Sequence, residues 1–367
     1  MTTSRSFALR ACRGAGLGLV AGAVADAALG DPARWHPVAG FGRLAGALER
    51  VMWRDSRRAG AAYTLVCVGG ALAFGRLAQG GAGSAPARRL VATAAATWGV
   101  LGACSLGSEA LRIDAALGRG GLEAARALVP RLCGRDPASL DAAGIVRATV
   151  ESVAENTSDA VVAPLFWGAI AGPAGLLGYR VVNTLDAMVG HHSARYERFG
   201  LVPARLDDLA NFVPARLTGL LVAAAAPLVG GSALAALRAM RTDGGKHPSP
   251  NSGRCEAAFA GALGVQLGGT NRYRAGVDDF RVEHRPQLGT GSAPQRSDIA
   301  RAVRLQRVVS AAAVVLAAAA AALRVAQTST LTNLEPEFPP ASGGRFDKVR
   351  VLVGCRPAAG ARRSVRF

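Results

Sequence analysis

The chain has 367 residues, half of them hydrophobic, 19% charged and only 5% aromatic, with a mean hydropathy of +0.23. Such apolar content excludes a disordered chain, and the length with six cysteines excludes a small disulfide scaffold. The net charge of +18 is carried almost wholly by Arg spread along the chain, with Lys only at 246 and 348, which suits lipid headgroups at the ends of membrane spans better than a nucleic-acid face.

Runs without any charged residue fall at 14–25, 59–75, 90–108, 160–179, 217–237 and 308–323. A membrane span needs about 17–25 mainly apolar residues. Three of the runs meet that outright, and those at 59–75 and 308–323 reach it if Arg76 or Arg324 snorkels to the interface. The first is short and follows Arg5, Arg10 and Arg13, but Asp26 and a Gly-Asp-Pro turn come after it in place of a cleavage site, so it reads as a retained helix. The expected fold is all-α, a polytopic integral membrane protein with about five to six transmembrane helices, in a cell membrane. Ala-rich core helices of a soluble bundle are the alternative. Arg flanks most spans at both ends, so the positive-inside rule sets no orientation. Polar stretches at 26–58, 109–159, 180–216 and 238–307 separate the spans, the last of them loop-like. A membrane domain over 1–326 is expected, followed by a disordered tail over 327–367.

Four polar clusters border the apolar runs. Asp31 and His36 lie in a loop stiffened by Pro32 and Pro37, followed by Arg43. Glu151, Glu155 and Asp159 recur at i, i+4 and i+8 around Asn156, so a helix would set three like charges on one face. Such a stripe beside an apolar run calls for a cation, and Mg²⁺ carrying phosphate oxygens would serve; Arg147 is a competing neutraliser. Asn183, Asp186, Arg205, Asp207, Asp208, Asn211 and Arg216 form the third cluster, in which interhelical ion pairing is the plainer alternative to function. The fourth holds Lys246, His247, Asn251, Glu256, Asn271 and Arg272, with Pro248 and Pro250 stiffening a loop suited to a phosphate or carboxylate. There is no Walker A motif and no GxGxxG after a strand, so neither NAD nor flavin is expected, and any ATP would bind without a P-loop. The cysteines form no CxxC and no metal-ligand spacing, so no zinc is expected.

Taken together and in this order, LGDPARWHPV, ESVAENTSDAVVAPLFW, YRVVNTLDAMVG, RYERFG, RLDDLANFVPARLT and KHPSPNSGRCEAAFAGALGVQLGG resemble the CobD/CbiB family of cobalamin biosynthesis over roughly residues 15–325. The resemblance implies an integral membrane enzyme that joins aminopropanol, or its phosphate, to the free propionate of adenosylcobyric acid. The product is adenosylcobinamide or its phosphate. Amide formation in water is uphill, so an acid–amine ligase using Mg²⁺ and ATP is expected. On residue chemistry, Glu151, Glu155 and Asp159 would bind the metal. Lys246, Arg205 and Arg216 would neutralise phosphate, and His36 or His247 would accept the amine proton. Glu155 is also expected in catalysis. Asp31, Arg43, Asn156, Asn183, Asp186, Asp207, Asp208, Asn211, Asn251, Glu256, Asn271 and Arg272 would complete the substrate site. Expected partners are the lipid bilayer and other late corrinoid-pathway enzymes, with no nucleic acid. A corrinoid transporter and a non-catalytic membrane scaffold or sensor are the competing classes. A transporter by alternating access calls for two related halves, and no internal repeat is present.

Overall fold

The computed structural model describes residues 2–31, 36–81, 85–191, 193–274 and 280–331. Pro32 of the first loop and the tail beyond 331 lie outside them. The chain forms α1 (Thr2–Leu29), α2 (Pro37–Met52), α3 (Arg57–Gln79), α4 (Pro86–Val100), α5 (Ala103–Gly118), α6 (Leu122–Leu128) and α7 (Ala142–Thr157). There follow α8 (Ala163–Leu185), α9 (Leu201–Ala225), α10 (Ala233–Thr242), α11 (Ser252–Leu263), β1 (Leu267–Arg274), β2 (Phe280–Leu288) and α12 (Arg296–Leu331). Among the described residues, five helical stretches are long and apolar enough to cross a membrane: Arg57–Gln79, Pro86–Gly118, Ala142–Gly190, Leu201–Val229 and Arg296–Arg324. Gly14–Leu29 is a shorter apolar one. The fold is thus all-α in its membrane-length elements, as the hydropathy pattern predicts.

Small residues set the spacing of the bundle. Gly14, Gly18 and Gly22 recur every four residues along α1 and face α4. A methyl group on Gly18 would sit 2.6 Å from Thr93 Cβ, and one on Gly22 2.4 Å from Thr97 Cβ. Only glycine lets these backbones approach so closely. Buried Asp26, at the end of α1, accepts the Cys104 amide at 3.2 Å, which supplies one of the free N–H groups at the start of α5 with a partner from another helix.

Three apolar runs are not single straight crossings, and one of them, 217–237, leaves α9 at Ala225, turns at Gly230 (φ 70°) and enters α10 at Ala233. The run 90–108 breaks at Leu101–Gly102, between α4 and α5. The run 160–179 folds back on itself. Gly172, at φ 58° and ψ −142°, takes a conformation closed to other residues, and Pro173 after it has no N–H to continue the ladder. A straight helix would separate residues 159 and 179 by about 30 Å, yet the Tyr179 hydroxyl lies 3.2 Å from the Asp159 carbonyl. The two arms pack through Gly168 against Leu176 and Gly175 against Trp167. Both ends of the run therefore emerge side by side.

The stretch 238–307 is less loop-like than its composition predicts. It holds α10, α11 and an antiparallel hairpin of β1 and β2, with a bulge at Leu267–Gly269. Charge anchors the hairpin to α7. Arg147 donates to the carbonyls of Gly268 and Thr270, the latter at 2.9 Å, and the Gly268 amide donates to Glu151 at 2.7 Å. Arg135 pairs with Glu151, and both side chains are almost fully buried.

Candidate functional site

The site begins where α7 runs into α8 through a π-helical turn at Ser158–Val162, and a second π turn follows α8 at Asp186–Gly190. Such turns widen a helix and are frequent at functional sites. Because α8 doubles back, Tyr179, Arg180, Asn183 and Asp186 on its returning arm stand next to Asp159, which precedes the outgoing arm. The first half of α9 lies alongside and adds Asp207, Asp208 and Asn211. Asn211 donates to Asp207 at 3.0 Å and Asn183 donates to its other oxygen at 3.4 Å. Tyr179 donates to the Asn211 carbonyl oxygen at 2.8 Å. Asp159 lies within electrostatic reach of Glu155, Asp186, Asp207 and Arg180, and Asp186 and Asp207 both reach Asp208. The result is an acidic bowl, partly open, with its amides already committed to holding Asp207.

A second polar layer joins the bowl through Ser252, whose hydroxyl donates to Glu155 at 2.9 Å. Asn251 donates to the Asp208 carbonyl at 2.8 Å and accepts from Arg216 at 3.3 Å. Behind them Glu256 is wholly buried, and neither of its oxygens accepts a hydrogen bond. Its nearest partners are Arg285 at 3.7 Å and His247 at 3.8 Å. Burial, with Glu151 and Glu155 nearby, pushes the Glu256 carboxyl well above the usual range. Burial and then Arg285 push the His247 imidazole down. A cavity of about 170 Å³ opens between α7, the segment 132–135 and the hairpin, lined by Arg135, Glu151, Ser152, Glu155, Tyr273 and Arg285 among others.

Glu151, Glu155 and Asp159 do share a helical face, as their spacing predicts, but they do not form one ligand set. Glu151 is taken up by Arg135 and the Gly268 amide, Glu155 by Ser252, and Asp159 faces Arg180 and Asp207. Among the described residues no three His, Cys, Asp or Glu side chains are grouped to hold a metal. The arrangement does not fit a resident ion held directly by these three carboxylates.

The two histidines share one arrangement. Nδ1 of His36 accepts the Val38 amide at 3.1 Å, and Nδ1 of His247 accepts the Ser249 amide at 3.0 Å. Nε2 of each ring is turned toward a carboxylate, Asp31 at 3.6 Å or Glu256 at 3.8 Å, and Nδ1 of His247 also lies 3.3 Å from the Ser249 carbonyl oxygen. Asp31 also accepts from Ser105 and stands within electrostatic reach of Arg180, which ties the first loop to the bowl. Lys246 is more than half exposed and paired with Asp243 at 2.7 Å, where Asp243 also accepts the Gly289 amide. Arg205 is exposed and pairs with Asp208 at 3.5 Å. Arg43 is exposed on α2, Asn156 bonds back to Ser152 at 3.0 Å, and Arg272 stacks on Phe280 at 3.7 Å. Buried Asn271 accepts from Arg147 at 3.3 Å and leaves its amide nitrogen unused. Four further residues belong here: Arg135, Tyr179, Arg180 and Arg285. A guanidinium carries no signal in so Arg-rich a chain, whereas Tyr179-Arg180 at the end of an apolar run is a visible one.

The family described as CobD/Cbib protein matches residues 19–306. The chain is 50% identical over 299 residues to the cobalamin biosynthesis protein CobD of Mycobacterium tuberculosis, covering 81% of this chain and 93% of that one. To proteins of the same name it is 43% identical in Chromobacterium violaceum, over 76% of this chain and 88% of that one, and 47% in Geobacter metallireducens, over 71% and 83%. No solved structure matches.

Proposed function

The chain belongs to the CobD/CbiB family, and from that premise we propose that it is a cobalamin-biosynthetic enzyme of the cell membrane that forms adenosylcobinamide or its phosphate. The reaction is an amide ligation between the free propionate of adenosylcobyric acid and the amine of aminopropanol or its phosphate. One observation supports it above the others. Segments up to about a hundred residues apart, each carrying a motif of the family resemblance, meet in one bowl: Glu155 with Ser252, Asp207 with Asn183 and Asn211, and Asp159 beside Arg180.

The chemistry runs in two steps. A propionate oxygen attacks the γ-phosphorus of ATP, giving an acyl phosphate and ADP. The amine then attacks the acyl carbon, phosphate leaves, and the amine nitrogen gives up a proton. Mg²⁺ enters on the nucleotide as part of that substrate. The acidic bowl attracts it with its water shell, and Mg²⁺ keeps such waters readily. Arg180 holds the anionic propionate or its phosphate beside Asp159. Asp159, which makes no side-chain hydrogen bond among the described residues, takes the proton that the amine releases. Asp207 is fixed by Asn183 and Asn211 and keeps the field around the amine negative. His36 and His247 stand beside Asp31 and Glu256.

The test uses membranes containing the chain, adenosylcobyric acid, Mg²⁺-ATP, and aminopropanol or its phosphate. Mass spectrometry of the corrinoid is expected to show a gain of one amide-linked aminopropanol unit, with ADP released in step. Product without nucleotide turnover would overturn the acyl-phosphate route. Absence of product with either donor, in membranes with folded protein, would shift the reading to a transporter or scaffold.

A further inference from the structure

A separate cavity of about 400 Å³ lies between the end of α1, the start of α5 and the first half of α12, a volume suited to a small ligand with its waters. Its polar lining is Asp26, Ser108, Gln306, Arg307 and Ser310. Val161 closes the wall next to the bowl, two positions beyond Asp159 in the π turn, and Asp31 stands within electrostatic reach of Asp26.

Two oxygens in this cavity stand out. Asp26 is 2% exposed and Gln306 is 1% exposed. One oxygen of Asp26 accepts the Cys104 amide at 3.2 Å, while Oδ1 accepts nothing. Gln306 donates its amide to Ser310 at 3.0 Å, while Oε1 accepts nothing. Buried acceptors without donors are costly and rare in native folds. Here two of them, from helices at opposite ends of the chain, line one space. The occupant must bring several N–H donors, and beside a carboxylate it is best a cation. Arg307 is exposed at the edge of the same cavity and carries the opposite preference, for an anion. Apolar Ala23, Ala27, Leu101 and Val314 line the rest, which suits a short carbon skeleton between the two ends.

We propose that this cavity is the amine-donor subsite, in which Asp26 and Gln306 hold the ammonium of a short amino alcohol and Arg307 holds its phosphate when the alcohol is esterified. The assignment rests on the amide-forming reading above for the identity of the amine. The only bond changed here is one N–H: the ammonium leaves a proton on the Asp26 carboxylate as the free amine passes to the bowl.

The experiment is isothermal titration of the purified full chain in lipid nanodiscs with aminopropanol and with its O-phosphate, followed by steady-state turnover. The wild type is expected to bind both. Gln306→Leu is expected to weaken both by about tenfold or more, as loss of a charged hydrogen bond does, and to raise KM for the amine while KM for the corrinoid stays put. Gln306→Glu keeps the acceptor and is expected to hold the amine at least as well, which separates lost binding from lost folding. Arg307→Gln is expected to weaken the phosphate ester alone. Wild-type protein that binds neither ligand, or Gln306→Leu with unchanged amine binding and KM, would overturn the subsite. Amine binding by a wild type that forms no amide would instead overturn the ligase reading and leave the cavity's preference standing.

Discussion

Glu151 and Glu155 stand one turn apart on the same face of α7 and meet opposite surroundings. Glu151 is paired with Arg135 and accepts the Gly268 amide, so its charge is met on both sides by groups that tie the β-hairpin to the bundle. Glu155 has a single hydroxyl partner in Ser252 and looks toward Asp159, Asp186 and Glu256. Carboxylates at equal spacing thus divide into one that holds the fold and one that maintains a crowded negative field. Uncompensated charge near a bilayer is expensive and persists where chemistry uses it.

The largest effect is expected from breaking the compensated side. Arg135→Leu leaves Glu151 buried without its ion-pair partner, which typically costs about 3–5 kcal/mol. A thermal melt in detergent should show a large fall in Tm, and Arg135→Leu with Glu151→Leu should recover part of it. Next comes Gly172→Ala, which forces a side chain into a conformation only glycine adopts, at about 1–3 kcal/mol. It should also lower turnover, since the fold-back is what sets Arg180 beside Asp159.

Glu256→Gln sharpens the comparison through its pH dependence. A carboxyl raised in the folded state binds a proton that the unfolded chain has released. Its contribution to stability is present below the unfolded value, near 4.3, and is lost as pH rises through the raised one. Removing the charge should flatten that fall, so Tm of the variant should exceed wild type increasingly toward neutral pH. His247, whose value is lowered by burial, acts oppositely: its contribution is lost as pH falls below about 6.5. The smallest effect is expected at Lys246. Its exposed pairing with Asp243 is worth about 0.2–1 kcal/mol, so Lys246→Gln should leave turnover and Tm close to wild type.

Much of the architecture is legible in the apolar runs, because charge-free stretches near span length mark α3 and α12, whereas 217–237 catches only the end of α9 and runs on into α10. The fold-back of 160–179 is written as Gly172-Pro173, but within an otherwise unbroken run it reads as one crossing. The β-hairpin is hidden from span-length hydropathy because 267–274 shows no apolar alternation and that of Phe280, Val282 and Leu288 is interrupted by His284, while Arg147, Glu151 and Arg135 hold the hairpin in place. The bowl's acids are legible as clusters beside spans. Their pairing is not, since an Arg such as Arg135 or Arg285 looks like every other Arg here, while the rarity of Lys draws attention to a residue that sits at the periphery.

The most direct test compares wild-type and Asp159→Asn membranes in the corrinoid mass assay, with Tm measured alongside. The account predicts an amide-linked product from the wild type, and from Asp159→Asn a folded protein of equal or higher Tm with turnover reduced about a hundredfold or more, as for loss of a positioned base. Product formed at the wild-type rate by Asp159→Asn would contradict it.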